Sequence, residues 1–229
     1  MAPPRILDPH AVPVAGHDDH LDAVDPARLS PEALRRRFRE GQGFSSPIAG
    51  DGGAITDRPA SEAAVLVPLV VRDHGVQVLL TRRTDHLRDH AGQISFPGGR
   101  AEPEDGGPEA TALREAEEEV GLASRHVELI GRLPVYTTVT RFVVTPVVAL
   151  VQPPFELALD DFEVAEAFEV PLQFLMTPAH HRRHVFQYDG GQRQFLSMPW
   201  RGHAQSREYF IWGATAAMLR NLYHFLREG

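Results

Sequence analysis

Cysteine is absent from the 229 residues, which excludes disulfides, thiolate metal sites and a thiol nucleophile. Metal chemistry then falls to carboxylate oxygen and imidazole nitrogen, a donor set that favours magnesium or manganese. Long apolar runs are missing as well. The longest, Ala63 to Val71, contains Pro68 and falls short of the roughly 20 residues that cross a bilayer, so no membrane partner is expected. The opening MAPPRILDPHAVPVAGHDDH has no basic segment leading into an apolar stretch, so a secretory signal is not expected and a cytoplasmic location is. Surplus positive charge is also lacking. With 23 Lys and Arg against 31 Asp and Glu, the formal net charge is -8, which opposes binding to phosphate backbones, and nucleic acid is not an expected partner. What is present is a 42% hydrophobic composition, enough for one domain core.

Residues 1 to 62 are rich in Pro, Gly, Asp and His and show little apolar periodicity. They read as an N-terminal extension, partly flexible and weakly packed, with one short helix. Ser30 as N-cap and Pro31 at the first helical position start that helix, and Gly41 ends it. Its arginines 35 to 37 read as a solvated face. From Ala63 the pattern changes: AAVLVPLVV, the turn signal Asp73-His74-Gly75 and VQVLLTRR predict a hairpin that opens a domain over 63-229. A loop through FPGG, a helix from about Pro108 to Val120, strands near VELIGRLP and FVVTPVVALV, and a C-terminal helical stretch after Ile211 follow. Strands flanking helices imply an α/β or α+β layered fold.

The most informative segment is Arg114-Glu115-Ala116-Glu117-Glu118-Glu119-Val120-Gly121-Leu122. At about 100° per residue, Glu115, Glu118 and Glu119 share one face, while Leu113, Ala116 and Val120 lie opposite. Like charges so crowded repel one another unless a cation neutralises them, and hard divalent cations take carboxylate oxygen. On spacing alone a metal site and a solvated acidic face both fit. The preceding Phe96-Pro97-Gly98-Gly99, which lets backbone approach closely, and the helix stop at Gly121 weigh toward the former.

The stretch Gly99 to Leu122 resembles a Nudix box, G-x5-E-x7-R-E-U-x-E-E-x-G-U, and Arg114 to Leu122 match it throughout. The resemblance implies a Nudix fold, a mixed sheet in an α/β/α sandwich, and hydrolysis of a nucleoside diphosphate linked to another group. It also implies that Glu115, Glu118 and Glu119 hold Mg2+ or Mn2+, with the Gly99 carbonyl as a further ligand, and that Arg114 orients the carboxylates. One position departs from the box. Counting back from Arg114 puts Gly106 where the first glutamate belongs, and Glu104, Asp105 and Glu109 are open as substitutes.

Upstream, Leu79 to Gly99 resembles the L-L-T-x-R-[SA]-x3-R-x3-G-x3-F-P-G-G pattern of the coenzyme A pyrophosphatase subfamily. Leu79, Leu80, Thr81, Arg83, Arg88, Gly92, Phe96, Pro97, Gly98 and Gly99 are in register, and Thr84 replaces the small residue. The later Ile211 to Ala216, IWGATA, is similar to the same subfamily. This implies coenzyme A or an acyl-coenzyme A as substrate, cleaved to 3',5'-ADP and 4'-phosphopantetheine or its acyl form. Guanidinium groups suit such phosphates, and Arg83 and Arg88 are the substrate-binding candidates; salt bridges to Asp85 or Asp89 are the plainer reading. Phe96 is either core or an adenine or pantetheine contact.

Nudix enzymes often use a carboxylate outside the box, and Glu163 is the candidate among Asp160, Asp161, Glu163 and Glu166; Glu115 or Glu163 would take the proton. A solvated acidic turn accounts for that stretch equally well. His180 and His184 have the i, i+4 spacing of a helical metal pair, but a histidine-rich loop is the better reading. Phe210 and Trp212 read as core. Two other functions remain in view: a pyrophosphatase of ADP-ribose or another nucleoside diphosphate, and a non-catalytic Nudix regulator that binds a nucleotide. The presence of all three helix glutamates counts against the regulator. The partner is a small molecule in the first two cases, and a homodimer is left open.

Overall fold

An apolar run too short for a membrane and too continuous for a one-sided strand belongs in a sheet covered on both faces. In the computed structural model, which describes residues 6–41, 43–53, 59–87, 91–202 and 207–228, that run lies within such a strand. The chain runs β1 (Val14–His17), α1 (Pro31–Glu40), β2 (Ser61–Arg72), β3 (Gly75–Arg83), β4 (Ile94–Ser95), β5 (Gly98–Arg100) and α2 (Pro108–Val120). It continues through β6 (Val127–Arg132), β7 (Tyr136–Thr137), β8 (Phe142–Val151), β9 (Val164–Pro171) and α3 (Leu172–Leu175). The last elements are β10 (Arg182–Tyr188), β11 (Gly191–Arg201), β12 (Glu208–Trp212) and α4 (Gly213–Arg227).

The large sheet is mixed and eight-stranded, ordered β4-β3-β2-β8-β6, with β5 on β2, β7 on β8 and β9 on β3. Strand β2 runs parallel to β8 and antiparallel to β3. Its side chains alternate between two cores, as the two-residue strand period requires. Ala64, Leu66 and Val70 pack with Ala112, Ala116 and Val120 of α2. Ala63, Val67 and Leu69 join a second cluster with Leu34 of α1 and Leu219, Leu222 and Tyr223 of α4. The result is the α/β/α sandwich that the sequence resemblance implies.

The short helix α1 forms as its cap predicts, with the Ser30 hydroxyl accepting from the Ala33 amide at 3.3 Å. Weak packing of its surroundings is not found. Val24, Leu29, Ala33 and Leu34 are buried, because α1 covers the sheet beside α4 and fills a face that would otherwise be wet. Two of its arginines are also more than solvated charge. Arg35 pairs with Glu128 at 2.8 and 2.7 Å, and Arg37 donates to the Phe225 carbonyl at 2.7 Å while lying over that ring.

A second, four-stranded antiparallel sheet, β1-β10-β11-β12, is the largest departure from the sequence reading. The stretch read as a histidine-rich loop leads straight into β10, and His180 and His184 do not form a helical pair. His184, on a strand, is buried against the Val12 carbonyl and Ser197, while His180 stacks on Phe174. Between the two sheets opens a cleft of about 900 Å³.

Candidate active site

Helix α2 places the acidic residues, and its C-terminus fixes their height. Gly121 adopts a left-handed conformation (φ 68°). The Gly121 amide bonds the Glu117 carbonyl and the Leu122 amide bonds the Ala116 carbonyl, so the helix stops there. Ala112, Ala116 and Val120 form the buried stripe, and Leu113 is only half-buried. Glu119 is not on the side away from the core as expected. At i+3 from Ala116 it borders the stripe, its side chain 8% exposed, against 60% for Glu118.

Burial is the main reason the Glu119 carboxyl is pushed up to about 7, the Gly98 amide and the Arg83 guanidinium pulling the other way. The Gly98 amide donates to Glu119 Oε2 at 3.1 Å. Glu115, also raised chiefly by burial, lies under the neighbouring turn. A Cβ on Gly99 would come within 2.4 Å of Glu115 Oε1, so only glycine lets that backbone share the space with the carboxylate.

Arg114 links the cluster. One terminal nitrogen donates to Glu115 at 3.1 Å and to Glu118 at 2.9 Å. The other side of the guanidinium is held by Asp105, at 3.1 and 3.0 Å, and by the Arg100 carbonyl at 3.1 Å. Asp105 also accepts from the Thr111 hydroxyl and the Glu102 amide. Of the three residues open as a substitute for the missing box glutamate, Asp105 is therefore the one that meets Arg114; Glu109 pairs with Arg132 instead. Counting forward from Gly99, rather than back from Arg114, lands on Asp105, and that count was the available signal. These bonds hold the Asp105 carboxyl well below the usual carboxylate range and raise Arg114 further.

Arg83 reaches the same place from β3, at 3.7 Å from Glu119 and 3.5 Å from Glu163. Glu163, half-exposed on the turn before β9, is thus brought beside the box carboxylates. With guanidinium groups interposed, no three His, Asp or Glu side chains among the described residues converge on one point suited to an ion. The donor set and the bare Gly99 backbone nevertheless suit a hard divalent cation, which would compete with these arginines for the same oxygens.

Among the other predicted residues, Arg88 lies outside the described ones. Phe96 is 2% exposed and belongs to the core cluster, although it also borders the cleft. Phe210 and Trp212 are not core: both are part-buried and line the cleft on the β12 side, because strand alternation gives the core-facing side to Ile211 between them. Their role was not legible without β10 and β11.

The sequence pattern of the NUDIX domain matches residues 60–188. The chain is 44% identical over 162 residues to a protein of Salmonella paratyphi B described as "Uncharacterized Nudix hydrolase NudL", covering 70% of this chain and 80% of that one. The NudL of Salmonella newport aligns with the same figures. Among solved structures, a Caenorhabditis elegans Ap4A hydrolase overlaps 52% of this chain and 86% of its own, at 19% identity and a TM-score of 0.43.

Proposed function

We propose that this chain, which belongs to the Nudix hydrolase family and is a pyrophosphohydrolase, acts on coenzyme A or an acyl-coenzyme A, giving 3',5'-ADP and 4'-phosphopantetheine or its acyl form. The observation that carries this reading is the place of Arg83. The first arginine of the upstream motif stands beside Glu119 and Glu163 and lines the same cleft as Gly99, where a pyrophosphate would meet it. Arg82 and Arg100 line that cleft too. Together they offer permanent, planar cations to a polyanionic substrate.

Glu115, Glu118 and Glu119, with the Gly99 carbonyl, would hold Mg2+ or Mn2+. When bound, such a metal would supply polarisation of a pyrophosphate oxygen and acidification of a water. The protein's own groups do the rest. Arg114, gripped by Asp105, sets the angle of Glu115 and Glu118. Glu115 or Glu163 takes the proton as a water oxygen bonds to phosphorus, and the bridging P–O bond breaks with its electron pair on the leaving phosphate. Arg83 neutralises charge there. Residues 63–229 form the catalytic unit in this reading, and residues 1–62 an extension whose α1 packs on it.

Mass-spectrometric product analysis with coenzyme A, acetyl-coenzyme A, ADP-ribose and NADH, each with magnesium or manganese, tests it. The expected products are 3',5'-ADP and (acyl-)phosphopantetheine. A higher kcat/KM on ADP-ribose than on either coenzyme A substrate overturns it.

A further inference from the structure

The cleft between the sheets extends well beyond the carboxylates, and its lining changes character. Near the box it is basic. Elsewhere the large-sheet side carries Val65 of β2, Val144 of β8, Ile94 of β4 and, from α4, Met218, with Gln93, Ser95 and Thr138 among them. The facing wall, on the second sheet, carries Phe195, Phe210 and Trp212.

Neighbouring rings hold that wall in place. Phe195 stacks on His184 with centroids 4.6 Å apart and planes 2° from parallel, and meets Trp212 edge-on at 5.5 Å. His184 is itself fixed by the Val12 carbonyl at 2.9 Å and the Ser197 hydroxyl at 2.8 Å. Phe210 is covered by His10 at 4.1 Å. With one side of each phenyl ring taken, what the second sheet offers the cleft is a fixed aromatic surface, across from the apolar side chains of the large sheet. An unbranched alkyl chain needs only apolar surface to lie against. The cleft is continuous with the basic box region, so one ligand with a phosphate centre and an apolar arm spans both.

We infer that the wall of Phe195, Phe210 and Trp212, with the apolar side chains opposite, is a binding site for a linear acyl-pantetheine arm, and that the enzyme selects acyl-coenzyme A of medium chain length over coenzyme A itself. This rests on the coenzyme A reading above. Each methylene that is fully buried favours binding by about fourfold, so a chain of a few carbons gives a large discrimination.

Two measurements test the site. The first is kcat/KM for coenzyme A and its acetyl, hexanoyl and dodecanoyl thioesters. Hexanoyl-coenzyme A is expected to exceed acetyl-coenzyme A by at least about tenfold. The second is free of catalysis: hexanoyl-pantetheine, which has no phosphate, is titrated into protein in EDTA. Trp200 and Trp212 are the only tryptophans, and Trp200 lies outside the cleft lining, so a W200F protein reports on Trp212 alone. A saturable change in Trp212 emission is expected. F210A should weaken it at least about fivefold, with F210L as the milder variant should F210A fail to fold. A flat chain-length series, or a Trp212 response to 3',5'-ADP with none to hexanoyl-pantetheine, overturns the inference while leaving coenzyme A as substrate. If only ADP-ribose is hydrolysed, the coenzyme A reading fails, and the emission titration alone decides whether the cleft takes an acyl arm.

Discussion

Asp105 holds the guanidinium of Arg114 through both carboxylate oxygens, and Arg114 in turn holds Glu115 and Glu118. An aspartate in the loop thereby sets the geometry of two carboxylates on the helix. Replacing it with the isosteric neutral residue, D105N, should leave the chain folded and lower kcat by about tenfold or more, because Arg114 loses its anchor. D105E should recover part of that loss. Since Arg114 keeps this carboxyl ionised far into acid, its contribution to stability is present above the ordinary carboxylate pKa and disappears only in strong acid. Equal kcat in D105N and the wild type would remove Asp105 from the mechanism.

Glu119→Gln preserves size and the bond from the Gly98 amide but removes a charge offered to the metal. Turnover should fall by at least about a hundredfold with the fold unchanged by circular dichroism. Excess EDTA should abolish activity of the wild type. Full turnover in EDTA contradicts the metal assignment outright.

Arg83 stands at the carboxylates, so in the coenzyme A reading it would meet the pyrophosphate rather than the 3'-phosphate. R83A should therefore lose about 1.5 to 3 kcal/mol in kcat/KM on coenzyme A and the same on dephospho-coenzyme A. A loss confined to coenzyme A would mean that Arg83 reads the 3'-phosphate instead.

His181 is fully buried, its Nε2 bonded to the Leu175 carbonyl and its Nδ1 accepting from Arg220 at 2.8 Å. Arg220 is itself paired with Asp18 at 3.1 Å. Burial, with Arg220 adding to it, lowers the imidazole to about 4 from 6.5. Between those values the unfolded chain binds a proton that the folded chain does not, so stability falls as pH drops from about 6.5 toward 4. H181Q should show a shallower fall in Tm across that window. Parallel Tm profiles for the two proteins would assign the acid sensitivity elsewhere.

Leu34→Ala should destabilise by about 2 to 5 kcal/mol in a urea titration, as its side chain is completely buried between α1 and the sheet. A truncated chain starting near Ala60 should aggregate or unfold for the same reason. A soluble, active truncation would show that the extension only decorates the domain.

Much of this was legible because local rules and the fold agree. Ser30-Pro31 capped α1, Asp73-His74-Gly75 turned the β2-β3 hairpin, and Gly121 ended α2 where a glycine stop belongs. The glutamates were legible as a face, but the burial of Glu119 was not, since a residue at the border of a helical stripe is placed by what packs on it. The second sheet escaped for a different reason. Strands β10 and β11 carry His, Arg and Gln between their aromatics, so their alternation is weak, and β1, which pairs with β10, comes from residues more than 160 positions away. With that sheet unseen, Phe210 and Trp212 had no cleft to line.

The packing of α1 and the segment before it on α4 also bears on how the molecule comes into being. Tyr223 bonds the Asp22 carbonyl, Arg28 the Arg227 carbonyl and Arg37 the Phe225 carbonyl, across 201, 199 and 188 residues. At synthesis rates of about 5 to 20 residues per second, the early segment waits roughly 10 to 40 s on the ribosome before α4 emerges to meet it. Throughout that interval Val24, Leu29 and Leu34 lack the α4 side chains that complete their cluster. The front of the nascent chain is then the part most prone to sticking to other chains.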